Sequence, residues 1–505
     1  MTAGHVADRS IAAAGWMSAG TLLRAVLQVA AQVTFARVLG PDHFGVFLLA
    51  SLTVSLSALF ADIGVSYALI QKNEITVRDI RLSFTWHVLI AGIVGTVLAT
   101  LATYVADWFN DLRVGPVLAV LASSLLINAA GIPAMNLLRR DLNFRAIQLA
   151  LLASYFVGYV VVGIPALMLG AGVWAPVMAL LVQAGINTTL LYIQKPHAIR
   201  PLLHSDEKKE FLGYSATFLA TNLTNWTLMN IDRVLLGRLV GTTAVGFYAT
   251  PYNLLNNPTL QILNTAQSIL FAASSRLQEN LPSMRRAYLA VLAAVALLVA
   301  PVFAGISAAA PTLIEVIYGP LWAPAAEVTR ALALAMPIYL VWALSTPILW
   351  NTGQKTREYR HQLPLIPVWA VAAWFAAQTS IVVLAYSLIV MQCVRALFTT
   401  YPAAKAMGLR LRDYVHVLGY GVFISLAVAL VVCRADVALR ELNFPVLLIM
   451  ILDVVGAAIT WLVLLRILGS RFHPEFNQLA LRTLTKLPAR ISRVLTFILF
   501  PQLQR

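Results

Sequence analysis

ARVLGPDHFGVF, residues 36–47, returns as GRLVGTTAVGFY, residues 237–248. Both copies read Arg, two apolar residues, Gly, four residues, Gly, one residue, aromatic. The first copy supplies Arg37, Gly40, Gly45 and Phe47, and the second Arg238, Gly241, Gly246 and Tyr248. The register is ungapped, at an offset of 201 residues. Each copy closes one hydrophobic segment and opens the next. A duplicated turn between duplicated apolar segments predicts a membrane protein built twice from one half.

Composition agrees. Of 505 residues, 60% are hydrophobic and 11% charged, where a soluble domain carries about 25% charge. Repeated apolar runs of about 20 residues account for this. The first run lacks a short apolar core with a small-residue cleavage pattern and reads as a retained span. The net charge is +15. In a soluble chain that balance would point to nucleic acid; here the positive-inside rule accounts for it, and no nucleic-acid partner is expected. Cys393 and Cys433 each stand alone in apolar runs, so neither a disulfide framework nor a metal site is expected. Walker, zinc and Gly-rich nucleotide motifs are lacking, and no cofactor is expected.

Fourteen candidate spans emerge, at 11–36, 44–70, 83–106, 114–138, 146–169, 172–193, 211–236, 245–272, 287–309, 326–350, 362–378, 380–400, 414–433 and 444–467. The eleventh and twelfth are separated only by Ala377-Gln378-Thr379 and could read as one. With the N-terminus inside and strict alternation, the inner segments hold 27 Lys and Arg and the outer connections 7. Merging spans eleven and twelve would put the Lys405 cluster outside. Fourteen spans with both termini cytoplasmic therefore fit the charges best.

The offset corresponds to six spans, an even number, which predicts two parallel six-helix lobes. They occupy residues 1–205 and 206–405. Residues 406–468 add two helices without a partner in the repeat. The tail, 469–505, spaces Arg482, Lys486, Arg490 and Arg493 at helical intervals. It reads either as a basic amphipathic helix on the inner surface, attracted to anionic lipids, or as a partly disordered segment.

Polar residues inside spans are the informative ones, because hydrocarbon makes them costly. Thr21, Arg24, Gln28 and Gln32 share one face of span one. Arg24 is near mid-membrane, either facing a water-filled cavity or tied to a neighbouring helix. At the offset, span seven carries its own stripe of Asn222, Asn225, Met229 and Asp232, followed by Arg233. The Asp232–Arg233 pair reads as a gate or as an interfacial anchor. Span eight adds Asn253, Asn257, Gln261 and Asn264, with Pro251 and Pro258 to loosen it. Such amides can bind sugar hydroxyls or join helices. Trp226, beside Asn225, is a candidate for stacking on a sugar ring. Asp62 and Asp453 are the deepest acids. Asp62 could pair with Arg24 or titrate during transport, while Asp453 lies outside the repeated core. Arg395, near the inner surface, can snorkel. His87 reads as an inner-edge helix residue.

Three stretches carry a family resemblance: ARVLGPDHFGVFLLASLTVSLSALFADIGVSYALIQ (36–71), IDRVLLGRLVGTTAVGFYATPYNLLNNP (231–258) and ILFAASSRLQEN (269–280). They resemble the inner-membrane polysaccharide transporters of the multidrug/oligosaccharidyl-lipid/polysaccharide (MOP) superfamily, the Wzx-type and related exopolysaccharide flippases. The resemblance implies two six-helix lobes around a V-shaped cavity that alternates between membrane faces. It implies transfer of an undecaprenyl-diphosphate-linked oligosaccharide from the cytoplasmic to the periplasmic leaflet of the bacterial inner membrane. It also implies work beside a polysaccharide polymerase and a chain-length regulator. Cavity arginines would meet the diphosphate, and Arg24 is the position that fits.

The expected substrate-binding residues are Arg24, Gln28, Asn222, Asn225, Trp226 and Asn257. Asp62, Asp232 and Arg233 are the expected coupling or gating residues, through which a proton or sodium gradient would act. Two other functions stay open. A cation-coupled multidrug antiporter of the same superfamily would need a cluster of deep carboxylates. A membrane polysaccharide polymerase or ligase would need a large outer loop, and the longest outer connection, about 310–325, holds only Glu315 as an acid.

Overall fold

The structure, a computed structural model, describes residues 3–61, 75–202, 215–276, 280–354 and 360–468. All regular structure among these residues is helical. Ten helices are long and apolar enough to cross a membrane. The chain is therefore an all-helical polytopic membrane protein.

In chain order, α1 covers Ala3–Ala61, α2 Val77–Thr100, α3 Ala102–Trp108 and α4 Val114–Arg140. Then come α5 Phe144–Met168, α6 Trp174–Gln194, α7 Ser215–Leu239 and α8 Thr242–Arg276. The remainder are α9 Leu281–Ala308, α10 Ala310–Tyr318, α11 Ala325–Asn351, α12 Leu365–Thr379, α13 Ile381–Met407, α14 Leu411–Glu441 and α15 Val446–Leu468.

Ten rather than fourteen has physical causes. The first two segments are two helices that follow each other without a loop within Ala3–Ala61, meeting at a kink at Gly40 (φ +69°, ψ 174°) ahead of Pro41, and so count as one. The left-handed, non-helical backbone at Gly40 ends the first helix and lets the second start at once. The amide stripes of α7 and α8 lower their apolar character. α12 has only 15 residues. It is nonetheless separate from α13: Ser380 between them is extended (φ −169°, ψ 160°), and its Oγ accepts the Val383 N–H at 3.1 Å. Side-chain caps start other helices as well. Thr76 and Asp79 form a capping box on α2, and Asn143 and Asn280 accept N–H groups of Ala146 and Ser283 on α5 and α9. Each cap satisfies a donor that would otherwise be orphaned near the membrane.

The chain divides into two compact units, residues 1–250 and 251–505. In the first, α1 packs on α4, α5 and α7, and α4 on α2 and α6. The approach of α5 to α6 depends on Gly158, where a Cβ would sit 2.6 Å from the Ala179 carbonyl oxygen. A π-helical turn, Phe156–Gly163, carries that glycine. In the second unit, α11 packs on α9 and α13, and α14 on α9 and α15. The segment after α6 is pinned to α2. Arg81 donates to the carbonyls of Arg200 and Pro201 at 2.9 and 3.0 Å, and Thr85 Oγ1 accepts the Leu202 N–H at 2.9 Å.

Candidate functional site

The duplicated turns meet each other. Positions equivalent under the 201-residue offset face across one contact: Asp42 with Thr243 and Gly45 with Gly246. A Cβ on Gly45 would lie 2.0 Å from the Thr242 carbonyl oxygen, and one on Gly246 would lie 2.0 Å from that of Pro41. Thr243 Oγ1 donates to Asp42 Oδ1 at 2.9 Å. The contact is thus reciprocal, as a twofold relation between duplicated turns requires. Arg113 staples it, gripping Asp42 through both Nη atoms at 2.5 and 2.9 Å and Asp111 at 2.8 Å. Thr242 Oγ1 also donates to Asp111, at 2.8 Å. Burial alone would raise the Asp111 carboxyl, but its bonds from Arg113 and Thr242 prevail and hold it below the ordinary carboxylate range. The bonds to Asp42 and then Asp111 raise Arg113.

Deeper on α1, Arg24 is half-buried. Its Nε is buried without a hydrogen-bond partner among the described residues. Gln28, also half-buried, is one turn away. Gln32 Nε2 donates to the Thr250 carbonyl at 2.9 Å, fixing α1 to α8. Sequence reasoning missed Gln148 on α5. It is 8% exposed, and its Oε1 would lie 2.9 Å from a Cβ on Gly20, one turn before Arg24. That oxygen also lacks a partner among the described residues. A glutamine early in an apolar span was the available signal. Asp62 lies outside the described residues.

On α7, Asn222 is half-buried and Asn225 exposed. Trp226 Nε1 donates to Ser55 Oγ on α1 beyond the kink, at 3.0 Å. Asp232 and Arg233 are 1% and 6% exposed. Asp232 Oδ1 accepts the Arg233 N–H at 2.9 Å and its Nε at 3.4 Å, and Tyr248 donates to Oδ2 at 2.8 Å. Arg233 also donates to the Met229 carbonyl. The pair thus ties α7 to α8, with both carboxylate oxygens engaged.

In the second unit, Asn257 is half-buried on α8. Its neighbour Asn256 is buried, with Oδ1 lacking a partner among the described residues. Arg395 departs from the sequence expectation. It does not snorkel; it is 2% exposed, with Cζ 3.9 Å from the Trp342 ring centroid and Nη2 donating to Gln362 Oε1 at 3.2 Å. Desolvated contacts of this kind contribute about 2 kcal/mol. Trp342 is itself held by Gln392 through Nε1 at 2.9 Å. Spacing alone could not reveal a partner 53 residues away. His87 is buried, with Nδ1 2.7 Å from the Ser83 carbonyl oxygen.

Comparison with known proteins places this geometry. The profile of the family described as "Polysaccharide biosynthesis protein" matches residues 34–327, more than half of the chain and including both copies of the turn. The teichuronic acid biosynthesis protein TuaB of Bacillus subtilis is 20% identical over 91% of this chain and 96% of its own length. The lipopolysaccharide biosynthesis protein WzxC of Escherichia coli is 20% identical, covering 68% and 69%. The succinoglycan biosynthesis transport protein ExoT of Rhizobium meliloti is 24% identical, covering 63% and 64%. Among solved structures, the lipid II flippase MurJ in an inward closed conformation superposes with a TM-score of 0.74 at 10% identity, over 90% of this chain and 98% of MurJ. An inward-facing MATE multidrug transporter gives 0.62 at 14% identity, over 76% and 96%. The chain belongs to the polysaccharide biosynthesis protein family, built on the fold shared by MurJ and the MATE transporters.

Proposed function

We propose that this protein flips undecaprenyl-diphosphate-linked oligosaccharide repeat units from the cytoplasmic to the periplasmic leaflet of a bacterial inner membrane by alternating access. The coarse function, membrane transport in polysaccharide biosynthesis and not enzymatic chemistry, follows from the family and its transport relatives. The finer reading rests on Arg24. A half-buried guanidinium in an apolar helix, with Nε unpaired among the described residues, is poised for an anion that arrives and leaves. Guanidinium planes match phosphate oxygens in a forked, charge-assisted arrangement. Gln28, Asn222, Asn225, Trp226 and Asn257 would supply donors, acceptors and a ring for sugars. Asp62, Asp232 and Arg233 would serve coupling or gating. Fourteen spans with both termini inside, in lobes 1–205 and 206–405 that rock about the substrate, complete the proposal. A polysaccharide polymerase and a chain-length regulator are the partners it implies.

The test replaces Arg24 by Ala and by Lys in cells lacking the native copy, and measures on which leaflet lipid-linked repeat units accumulate. Hydrogen bonds to charged groups contribute about 1.5–3 kcal/mol, so Arg24→Ala should slow translocation about 10- to 100-fold. Arg24→Lys should retain part of the rate. Wild-type translocation by the Ala variant, at equal protein level, would remove Arg24 from the substrate path. Accumulation of a fluorescent cationic drug in cells lacking the protein would instead favour a multidrug antiporter.

A further inference from the structure

The two helices outside the repeat, α14 and α15, enclose a buried acid that the proposed transport path does not use. With α9 and α10 they line a cavity of about 330 Å3. Its walls are aliphatic, including Val302, Leu313, Val432 and Ala457, and only Asp453 and Trp461 bring polar side-chain atoms to it. Trp461 Nε1 is already committed to the Leu297 carbonyl at 2.8 Å. Asp453 is 2% exposed, and neither of its oxygens has a hydrogen-bond partner among the described residues.

The polar group set against Asp453 is another carboxyl, Asp436 of α14, 4% exposed. Asp436 is occupied as an acceptor on both oxygens. Thr312 of α10 donates to Oδ1, and Arg440 Nε lies 3.3 Å from Oδ2. Arg440 is shared, because its Nη2 also reaches Glu315 Oε2 at 3.2 Å and Thr312 Oγ1 at 2.7 Å. One guanidinium thus serves two acids and a hydroxyl. On α11, Arg330 is turned to Glu327 at 2.8 Å and to the Ser307 carbonyl, and α9 contributes no charged side chain to the lining. Asp436 has both oxygens bonded, while Asp453 faces it from an apolar wall with no donor of its own among the described residues. A metal cation would need several oxygen ligands, which aliphatic walls do not offer.

We propose that Asp453 is a proton-binding site, its proton hydrogen-bonded to Asp436, and that Asp436 passes this proton to water beside the partly exposed Arg440 and Glu315, with Arg440 staying charged throughout. Only an O–H bond breaks and re-forms, and the proton leaves by way of Asp436. Arg440 and Glu315 are 34% and 37% exposed, which connects the buried pair to the face where the charges put the outside. Losing the proton leaves two carboxylates facing each other, so the packing of α15 on α14 and α10 must change with protonation. Resting on the transporter reading, the site would couple translocation to a proton gradient.

The experiment has two arms. Infrared difference spectra of the purified full chain should show a protonated carboxyl band at neutral pH that Asp453→Asn abolishes. Asn mimics the neutral acid and can donate to Asp436, and Asp453→Leu, matched to the aliphatic walls, repeats the test in a second background. A wild-type chain without the band, or a band that survives both substitutions, overturns the site. In cells, a protonophore should slow wild-type translocation of lipid-linked repeat units, and Asp453→Asn should be slow already and unresponsive. Wild-type behaviour of Asp453→Asn overturns the coupling. The infrared arm reads protonation whether or not the chain transports, so failure of the transport reading alone would leave the band in place.

Discussion

Replacing Gly45 by Ala tests the reciprocal corner most directly. No unusual backbone is involved at this position, so the effect is steric. The added carbon would lie 2.0 Å from the Thr242 carbonyl oxygen, where carbon and oxygen ordinarily stay about 3.3 Å apart. The neighbour is backbone, so the two turns must separate by about 1.3 Å. The Thr243–Asp42 bond, 2.9 Å long, would then stretch to about 4.2 Å and be lost. Overpacking costs about 1–3 kcal/mol and the lost bond about 1 kcal/mol, about 2–4 kcal/mol together. Thermal unfolding of the purified chain should show this loss for Gly45→Ala and again for Gly246→Ala. The double variant should lose less than the sum, since one separation relieves both clashes. Gly185→Ala, where a Cβ meets nothing within 4 Å, is the control, neutral or slightly stabilising by helix propensity. If Gly45→Ala unfolds together with Gly185→Ala, the close-packed corner is wrong.

Arg113→Ala should cost about 1 kcal/mol, a small figure because Arg113 and Asp42 are about half exposed; melting at low and high salt checks it, since the difference from wild type should shrink as salt screens the lost pairs. The segment between α6 and residue 202 should respond to pH. His197 stacks against Phe84 and Tyr192 at centroid distances of 5.6 and 5.2 Å, and burial pushes its pKa below the ordinary histidine value. The folded state then prefers the neutral ring, so stability contributed by this packing is full above about pH 6.5 and declines as pH falls below it. Hydrogen exchange of the segment around residues 195–202 should accelerate between neutral and mildly acidic pH, and His197→Phe should abolish that response.

The fold was legible because membrane solvent imposes simple rules. Apolar runs marked the helices. The kink at Gly40 was visible as Gly-Pro, but its outcome was not. Gly40-Pro41 ends one helix and starts the next without a loop, and what packs across that corner is the second copy of the same turn. Likewise Ser380 reads as any serine until its extended backbone and its bond to the Val383 N–H separate two helices that periodicity could not divide. The π-helical turns at Phe156–Gly163 and Val295–Val299 had no signature beyond apolar sequence, since they accommodate neighbours.

The candidate site was less legible, and the reason lies in how intramembrane polar groups are satisfied. Four ionisable residues looked alike in sequence, each an interruption of an apolar run. Asp232 is saturated by Arg233 and Tyr248. Arg395 is desolvated against Trp342, its charge spread over a ring and an amide. Arg24 retains an unpaired nitrogen and Asp453 two unpaired oxygens among the described residues. Spacing predicts which face such a residue occupies, but satisfaction depends on partners far along the chain, such as Gln362 for Arg395. A saturated pair resists change, because removing either member strands the other. An unsaturated group is costly at rest, and that cost is recovered only when a ligand of opposite charge, or a proton, completes it. Function should therefore concentrate at Arg24 and Asp453, one cationic and one acidic, one inside the repeat and one outside it.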